Sequence, residues 1–486
     1  MSRIVRCIFR AATAVALTAA AANVGAAQGT APACSCRQDL DSLASRIEQN
    51  YIGFRFEVAK SPRESAYRAF VKQLQDRAAA TGETDCIFLL RELSGWFHDG
   101  HVFVIHAPQL SAAQTDSLAA AAERRPLTEE QLRTDLTARA GRLDPIEGIW
   151  FTPGYRLGVV RDGGMFVAVV LHADSSRWQP GQVKATFRRL PDGGYRAVLR
   201  ANDHSRRDVD FVLYRNTLLA GGPYVWGRIF PLAPHEVGTL DSLDPEMPTL
   251  RLLGAEAVVV SVPSHDPSYH DALQALVDRN RDAIRARPIL IIDIRGDQGG
   301  GSQTTAPLVP FLVSREMRPA IGPQGLSMVL SSSDNIRYFK QGGWNPDSVA
   351  ERMAAATGRV IPLIRNEPLG MPFPNDTVMP RPARVAVLMD RGDASAAEAF
   401  LLQARRSTKV TLFGQNSAGM IDYQSVTIVR LACLPSGNLL GYPVIAASPT
   451  LPKDGLNATG IPPDVTIPAG TTDAVAWVLT YYAGRP

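Results

Sequence analysis

The chain has 486 residues, of which 45% are hydrophobic and 20% charged, and its formal net charge is +4. This length is expected to give two or three domains of about 150 residues each. The apolar content excludes a largely disordered chain. Arg3, Arg6 and Arg10 lie at the very start, and the near-neutral remainder argues against nucleic-acid binding driven by bulk charge.

Residues 1–27 have the pattern of a secretory signal peptide. A basic start (1–10) is followed by an Ala-rich apolar stretch (11–22) and by small residues at 24–27, in the order typical of exported proteins. The apolar stretch is shorter than the about 20 residues that span a bilayer. We therefore expect an exported protein, periplasmic or secreted, with no integral membrane segment after signal removal.

The expected mature chain contains Cys34, Cys36, Cys86 and Cys433. An even number of cysteines in an oxidising compartment favours disulfides, and four cysteines allow three pairings. Cys34 and Cys36 are too close for an easy bridge to each other. We expect one of them to pair with Cys86 and so connect the first helix to the third; free buried thiols are the alternative.

The predicted elements change along the chain. Residues 38–139 show helical spacing of apolar residues. Residues 146–231 show short Val-, Tyr- and Phe-rich runs between turns, which indicate a small β sheet or barrel with a structural or substrate-presenting role. From Thr249 onward, strand-like and helical runs alternate, as is typical of an α/β domain. Within this last region, residues 317–381 are rich in Pro, Gly and Asn and are predicted to form long loops around a cleft.

Two turns that follow predicted buried strands carry candidate chemistry. Gly299, Gly300 and Gly301 follow the strand at 289–294, and their N–H groups are suited to an anion or to a purely structural turn. Ser395, before a predicted helix, has the capping-box spacing with Glu398, so helix capping is one interpretation. A nucleophile is the other, because a helix N-terminus stabilises an oxyanion.

The histidines are scattered. His98 and His101 follow a predicted helix, but a pair of ligands without others is poor evidence for a metal site. We therefore predict no metal and no cofactor. His265 and His270 are isolated and are interpreted as structural. His101 follows a tight Asp-Gly turn and is expected to face a cleft between domains.

Three motifs together resemble the C-terminal processing (tail-specific) serine peptidase family. The run 293–300 (DIRGDQGG) resembles D-L-R-x-N-x-G-G, the run 395–398 (SAAE) resembles S-A-x-E, and the run 460–465 (GIPPDV) resembles G-I-x-P-D. The similarity covers about residues 250–470. The helical region that ends in DGH at 99–101 also resembles the cap of the tricorn-like and retinoid-binding-protein-like branches.

The resemblance implies an α/β fold with a Clp-protease/crotonase-like catalytic core. We expect a helical N-terminal cap domain (28–140), a β-rich domain (141–245) and the catalytic domain (246–486) after the signal peptide. The β-rich domain lies where many relatives carry a peptide-binding PDZ module. It shows no PDZ signature, so recognition of a protein tail is not assumed.

The resemblance also implies a serine peptidase that cleaves peptide or protein substrates through an acyl-enzyme. Ser395 is then the nucleophile, and the Ala396 N–H forms the oxyanion hole with that of Gly299 or Gly300. The family's lysine branch has its base where this chain has Met420, and a thioether cannot accept the serine proton.

The tricorn-like branch takes its base from the N-terminal region, which points to His101. That branch has a serine where this chain has Gly100 and a glutamate where it has Asn457, whose amide cannot compensate an imidazolium charge. Asp99 or Glu398 are the alternative acids, and Glu398 is expected mainly to cap the helix and support the serine turn. Asp297 also replaces the family's asparagine.

These departures favour an alternative function, a catalytically inactive binding protein on the same fold. A third hypothesis, a metallohydrolase that uses His98 and His101, requires bound zinc.

Overall fold

The computed structural model describes residues 35–82, 85–107, 110–232, 244–365, 378–433, 437–468 and 470–484. The signal peptide predicted at 1–27 and Cys34 lie outside these ranges. The described chain mixes helices with two open sheets and one closed barrel, so the predicted α/β class is confirmed. No helix in these ranges combines the length and apolar character that crossing a membrane requires.

The N-terminal part is mainly helical. It contains α1 (Cys36–Asn50), α2 (Arg63–Ala78), α3 (Cys86–Gly95), the strand β1 (Phe103–His106), α4 (Ala112–Ala120) and α5 (Glu129–Ala138), with a π-helical turn at Phe54–Val58. Leu40, Leu43 and Ile47 of α1 are fully buried, as their helical spacing predicts.

The disulfide prediction is confirmed for Cys36 and Cys86. The two residues are bonded, with their Cα atoms 5.3 Å apart, and they connect α1 to α3. Cys433 is disulfide-bonded as well.

The β-rich part is a closed antiparallel barrel of eight strands. They are β2 (Gly148–Thr152), β3 (Tyr155–Asp162), β4 (Met165–Ala173), β5 (Val183–Arg189), β6 (Tyr195–Arg200), β7 (Arg206–Tyr214), β8 (Leu218–Gly221) and β9 (Tyr224–Phe230). Each strand pairs with the next, and β9 closes on β2. Large aromatic side chains, among them Trp150, Phe187, Phe211 and Trp226, fill the interior.

The turns that carry Gly299 and Ser395 follow strands of a six-stranded sheet. In spatial order it consists of β10 (Thr249–Leu253), β11 (Ala257–Ser261), β12 (Ile289–Asp293), β15 (Arg384–Met389), β16 (Val410–Gly414) and β19 (Val465–Thr466). Only the β10–β11 pair is antiparallel. Apolar cores cover both faces, with α6 (His270–Ala286) and α10 (Ala396–Arg405) on one and α11 (Ala474–Ala483) on the other. Because β12 and β15 are adjacent and parallel, the turns after them meet at one sheet edge.

A second open sheet joins distant parts of the chain. It contains β1, β13 (Met328–Leu330), β14 (Val360–Pro362), β17 (Tyr423–Arg430) and β18 (Asn438–Ala446). β1 pairs with β18, with Phe103 opposite Gly441. One apolar core includes residues of α1 to α3 and of this sheet. The N-terminal helices therefore pack directly on strands from the C-terminal third, and the division into domains at 140 and 245 stays a prediction.

The prediction of long loops at 317–381 is wrong for part of that segment. It contains β13, α8 (Ser333–Gln341), α9 (Val349–Ala354) and β14, preceded at Val309–Leu312 by the short helix α7. Phe339 and Met353 are buried in the core shared with the N-terminal helices. These short helices and strands are stabilised by tertiary packing, which cannot be predicted from local composition.

Candidate active site

Ser395 lies in the sharp turn between β15 and α10 and is partly exposed. Its φ of 57° and ψ of −112° are unusual for a residue with a side chain. Such a conformation costs on the order of 1–3 kcal/mol and persists only where the surroundings impose it. Strand-to-helix turns of this strained kind present nucleophilic serines in other hydrolases.

Glu398 holds this turn in place through hydrogen bonds. Its buried carboxylate accepts hydrogen bonds from Ser395 N (3.0 Å), Ser417 Oγ (2.6 Å), Gly419 N (2.9 Å) and Met420 N (2.7 Å). Burial raises the pKa of this carboxyl, and the hydrogen bonds oppose that shift. Glu398 thus caps the helix and connects the serine turn to 417–420. Since these four bonds occupy the carboxylate and none comes from His101, Glu398 does not orient the histidine.

The glycine-rich turn after β12 lies directly against Ser395. A Cβ on Gly299 would lie 2.6 Å from Ala394 O and 2.9 Å from Ser395 Cβ, and the φ of +89° also requires glycine. The Gly299 N–H is already engaged, because it donates to Asp297 Oδ1 at 2.9 Å. Within the described chain, the N–H groups of Ala396 and Gly300 have no hydrogen-bond acceptor. Those two are therefore the donors available for an oxyanion.

A buried pair that the sequence did not reveal shapes the same turn. Asp297 and His265 are both fully buried, with Asp297 Oδ2 2.5 Å from His265 Nδ1. Asp297 Oδ1 accepts from the backbone N–H of His265 (3.1 Å) and of Gly299. His265 Nε2 lies 3.2 Å from Thr305 Oγ1. The only signal for this pair was that Asp297 replaces the family's asparagine.

His101 is 7% exposed and follows the Asp99 turn. Its backbone N–H donates to Asp99 Oδ1 at 2.9 Å, and its ring Nδ1 lies 3.8 Å from that oxygen. Burial lowers the pKa of His101 to about 4, although the Tyr423 backbone and Glu398 raise it. The ring is therefore neutral at pH 7, the form in which it can accept a proton.

Asp99 is the only carboxylate within salt-bridge distance of the His101 ring in the described residues. It also accepts a hydrogen bond from Tyr51 Oη at 2.8 Å. Burial raises the pKa of Asp99 to about 7, while the bonds from His101 N and Tyr51 lower it. Its charge consequently changes near neutral pH.

Met420 connects the two halves of the site. A Cβ on Gly100 would lie 2.6 Å from Met420 Sδ, so the thioether packs on the turn that carries His101. The Met420 N–H donates to Glu398, which connects this contact to the serine turn. The described chain shows no hydrogen bond between the Ser395 hydroxyl and the His101 ring, whose Nδ1 is buried without a partner.

Asn457 supports the neighbouring backbone. Its Oδ1 accepts from the N–H groups of Ile421 and Asp422, both at 2.9 Å. Its Nδ2 is buried and makes no hydrogen bond within the described chain. Asn457 therefore fixes the segment that follows Met420. The described residues show no hydrogen bond between Asn457 and the His101 ring.

The pair His98 and His101 does not form a common site. His98 is exposed, with a φ of +53°, whereas His101 is buried. The described residues contain no group of three or more His, Cys, Asp or Glu side chains arranged to bind a metal ion.

Comparison with known proteins gives one family match. Residues 257–467 match the model of peptidase family S41, and no curated protein matches. Similar solved structures include a putative peptidase from Parabacteroides merdae (12% identity, TM-score 0.40, covering 93% of this chain and 96% of that one). Another is mature CPAF complexed with lactacystin (12% identity, TM-score 0.43, covering 89% of this chain and 94% of that one). A third is the photosystem II D1 C-terminal processing protease (14% identity, TM-score 0.36, covering 91% of this chain and 96% of that one). At these identities and TM-scores, the structural similarities add nothing to the family match.

Proposed function

Because the chain belongs to the C-terminal processing peptidase family S41 and is a serine-type peptidase, we propose that Ser395 cleaves its peptide substrates. The observation that carries the proposal is the strained serine turn packed on Gly299. Beside it, the N–H groups of Ala396 and Gly300 have no acceptor in the described chain. A serine hydroxyl and two unused donors are what an acyl transfer requires.

The reaction proceeds through an acyl-enzyme. Ser395 Oγ attacks the peptide carbonyl, and its proton passes to the neutral His101 ring. The carbonyl oxygen becomes an oxyanion that accepts from Ala396 N and Gly300 N. His101 then gives the proton to the departing amine, and water, deprotonated by the same ring, releases the acyl group.

Asp99 is the third member of the proposed triad. The imidazolium that forms during attack needs a compensating negative charge, and Asp99 Oδ1 is 3.8 Å from Nδ1. Tyr51 and the His101 N–H fix this carboxylate in place. Glu398 makes its four hydrogen bonds elsewhere and acts on the His101 ring only through its charge, which raises the pKa of His101, and Asn457 carries no charge.

The missing hydrogen bond between Ser395 and His101 is compatible with this assignment, because catalytic hydrogen bonds in unliganded enzymes often form only with substrate. We propose that substrate binding brings the two turns together. Met420 has a flexible side chain at the contact between them, and an unbranched thioether repacks at little cost.

The wider arrangement belongs to the same proposal. Residues 246–486 form the Clp-protease/crotonase-like core, and the N-terminal helices supply His101 as a cap. The barrel takes the place of the PDZ module. Export to the periplasm or the medium is supported by the sequence at 1–27 and by the disulfide between Cys36 and Cys86, since disulfides persist in oxidising compartments.

The test is labelling of purified protein with a serine-directed fluorophosphonate, which reports the activated hydroxyl without knowledge of the substrate. Labelling is expected for the wild type and not for Ser395→Ala, and it should fall steeply in His101→Ala. Asp174→Asn, which removes an exposed carboxylate beside His172 on the barrel, serves as the control and should label normally. No labelling of well-folded wild-type protein would contradict the proposal and favour a binding protein.

A further inference from the structure

One side chain of the barrel reaches the catalytic turns. Tyr214, at the end of β7, packs on two glycines of the catalytic sheet edge. A Cβ on Gly296 would lie 2.8 Å from Tyr214 Cγ, and a Cβ on Gly392 would lie 2.5 Å from Tyr214 Cε1. Any side chain at either position would overlap the ring, so both glycines make room for it.

The two glycines hold equivalent places in the two turns. Gly296 precedes Gly299 by three residues, and Gly392 precedes Ser395 by three. Both donate their N–H to the same oxygen, Asp390 Oδ1, at 3.0 and 2.8 Å. The Tyr214 ring therefore covers the point at which the oxyanion turn and the nucleophile turn are joined.

The contact is made by the ring. The described residues contain no hydrogen-bond partner for the Tyr214 hydroxyl, and burial with the nearby Asp390 and Asp393 raises its pKa, so the phenol is neutral. The next residues on this face of the barrel, Leu218 and Val225, line a small cleft together with Gly296 and Gly299. The barrel thus extends the wall of the site up to the residue that touches Ser395.

We propose that Tyr214 is a positioning residue for the reaction, through which the barrel sets the distance between the oxyanion donors and the nucleophile. This role rests on the proposed function. The two turns are joined at Asp390 Oδ1 and also by hydrogen bonds from Asp297 N to Asp393 Oδ1 (3.2 Å) and from Ala394 N to Asp297 O (2.9 Å), and such bonds still permit a small tilt of one turn against the other. A rigid aromatic ring pressed against both glycines prevents that tilt, and it costs little conformational entropy because it has only two side-chain torsions.

The test compares Tyr214→Ala with Tyr214→Phe and with Tyr224→Ala. Tyr224 is a second barrel tyrosine, packed on Phe211 with ring centroids 6.5 Å apart, and it serves as the matched control for loss of barrel stability. A misplacement of about 1 Å costs about 100-fold in rate. We expect Tyr214→Ala to lower kcat and the fluorophosphonate labelling rate by roughly 10- to 100-fold, with little change in KM. Tyr214→Phe should restore both.

The outcomes separate this role from the proposed function. A folded Tyr214→Ala variant with wild-type kcat would overturn the positioning role, as would a loss no larger than that of Tyr224→Ala at equal thermal stability. A Tyr214→Phe variant as impaired as Tyr214→Ala would also overturn it, because the ring alone is invoked. Wild-type protein that neither labels nor cleaves would overturn the proposed function, and this role with it.

Discussion

Replacing Asp99 with asparagine tests the proposed triad most directly. Asparagine keeps the size of the side chain and one oxygen, which can accept from His101 N, while its NH2 group takes the place of the oxygen that accepts from Tyr51 and can donate to the Tyr51 hydroxyl. It removes the charge that faces the His101 ring. The fold should survive the change, because burial raises the pKa of Asp99 to about 7 and the folded chain already accommodates its neutral form.

The size of the effect follows from the geometry. A unit charge 3.8 Å from Nδ1 stabilises the imidazolium by about 4 kcal/mol at an effective dielectric constant of about 20. That energy corresponds to about 1000-fold in kcat/KM. Because the pKa of Asp99 is about 7, wild-type kcat/KM should rise about tenfold per pH unit up to pH 7 and then level off. The pair of Asp99 and His101 loses its last proton near pH 7, so above that pH the ring is free to accept the proton of Ser395.

The assay is kcat/KM of both proteins, or the fluorophosphonate labelling rate, between about pH 5 and 9. Asp99→Asn should be slow and nearly independent of pH across neutrality, and it should meet the wild-type curve only at low pH. Asp174→Asn should keep the wild-type profile. A wild-type profile that is flat from pH 5 to 8 would refute the reasoning, as would an Asp99→Asn variant that retains the rise near pH 7.

Three further predictions concern the support of the site and of the fold. Gly299→Ala should abolish fluorophosphonate labelling while the protein stays folded by circular dichroism, because the new methyl group would lie 2.6 Å from Ala394 O. Cys36→Ser should lower the free energy of unfolding by roughly 4 kcal/mol, since the disulfide to Cys86 spans 50 residues; urea denaturation with and without reductant measures this. Burial lowers the pKa of Lys184 from 10.5 to about 7. Between these two pH values the unfolded chain binds more protons than the folded chain, so the free energy of unfolding should rise with pH. The variant Lys184→Met should show a flatter dependence of the unfolding free energy on pH.

Local patterns in the sequence predicted the local structure. Apolar spacing gave α1 and the strands β12 and β15, and the turn-punctuated runs after residue 146 gave the barrel strands. The family resemblance implied that the turns carrying Gly299 and Ser395 would meet, and the structure brings them into contact. The helix and strand predictions succeeded because periodicity and turn chemistry act within a few residues.

What the sequence did not reveal depends on contacts between distant residues. The pairing of Phe103 with Gly441, the short elements within 317–381 and the buried pair of His265 with Asp297 have no local signal. His265 in particular looked isolated, because its partner lies 32 residues away and is recognisable only as a departure from the family motif. In such cases long-range packing, and not local composition, determines the structure.

Two departures from the family pattern, Gly100 and Met420, are in contact with each other in the structure. A serine precedes the histidine in the branch that this chain resembles, and a lysine follows the nucleophile in the other branch; here the positions hold Gly100 and Met420. Their contact, with a Gly100 Cβ only 2.6 Å from Met420 Sδ, means that a side chain at position 100 would displace the thioether, so the two positions are coupled. The two changes therefore count once, not twice, as evidence against catalysis.

A double-mutant cycle measures this dependence. Gly100→Ser alone should destabilise the protein and slow labelling, because its side chain meets the thioether. In the Met420→Ala background the same change should be tolerated, which gives a coupling energy of about 1 kcal/mol or more, as is typical of residues in contact. Additive effects on unfolding free energy and on labelling would show that the two positions are independent. The absence of the serine would then stand as separate evidence against a histidine base at residue 101.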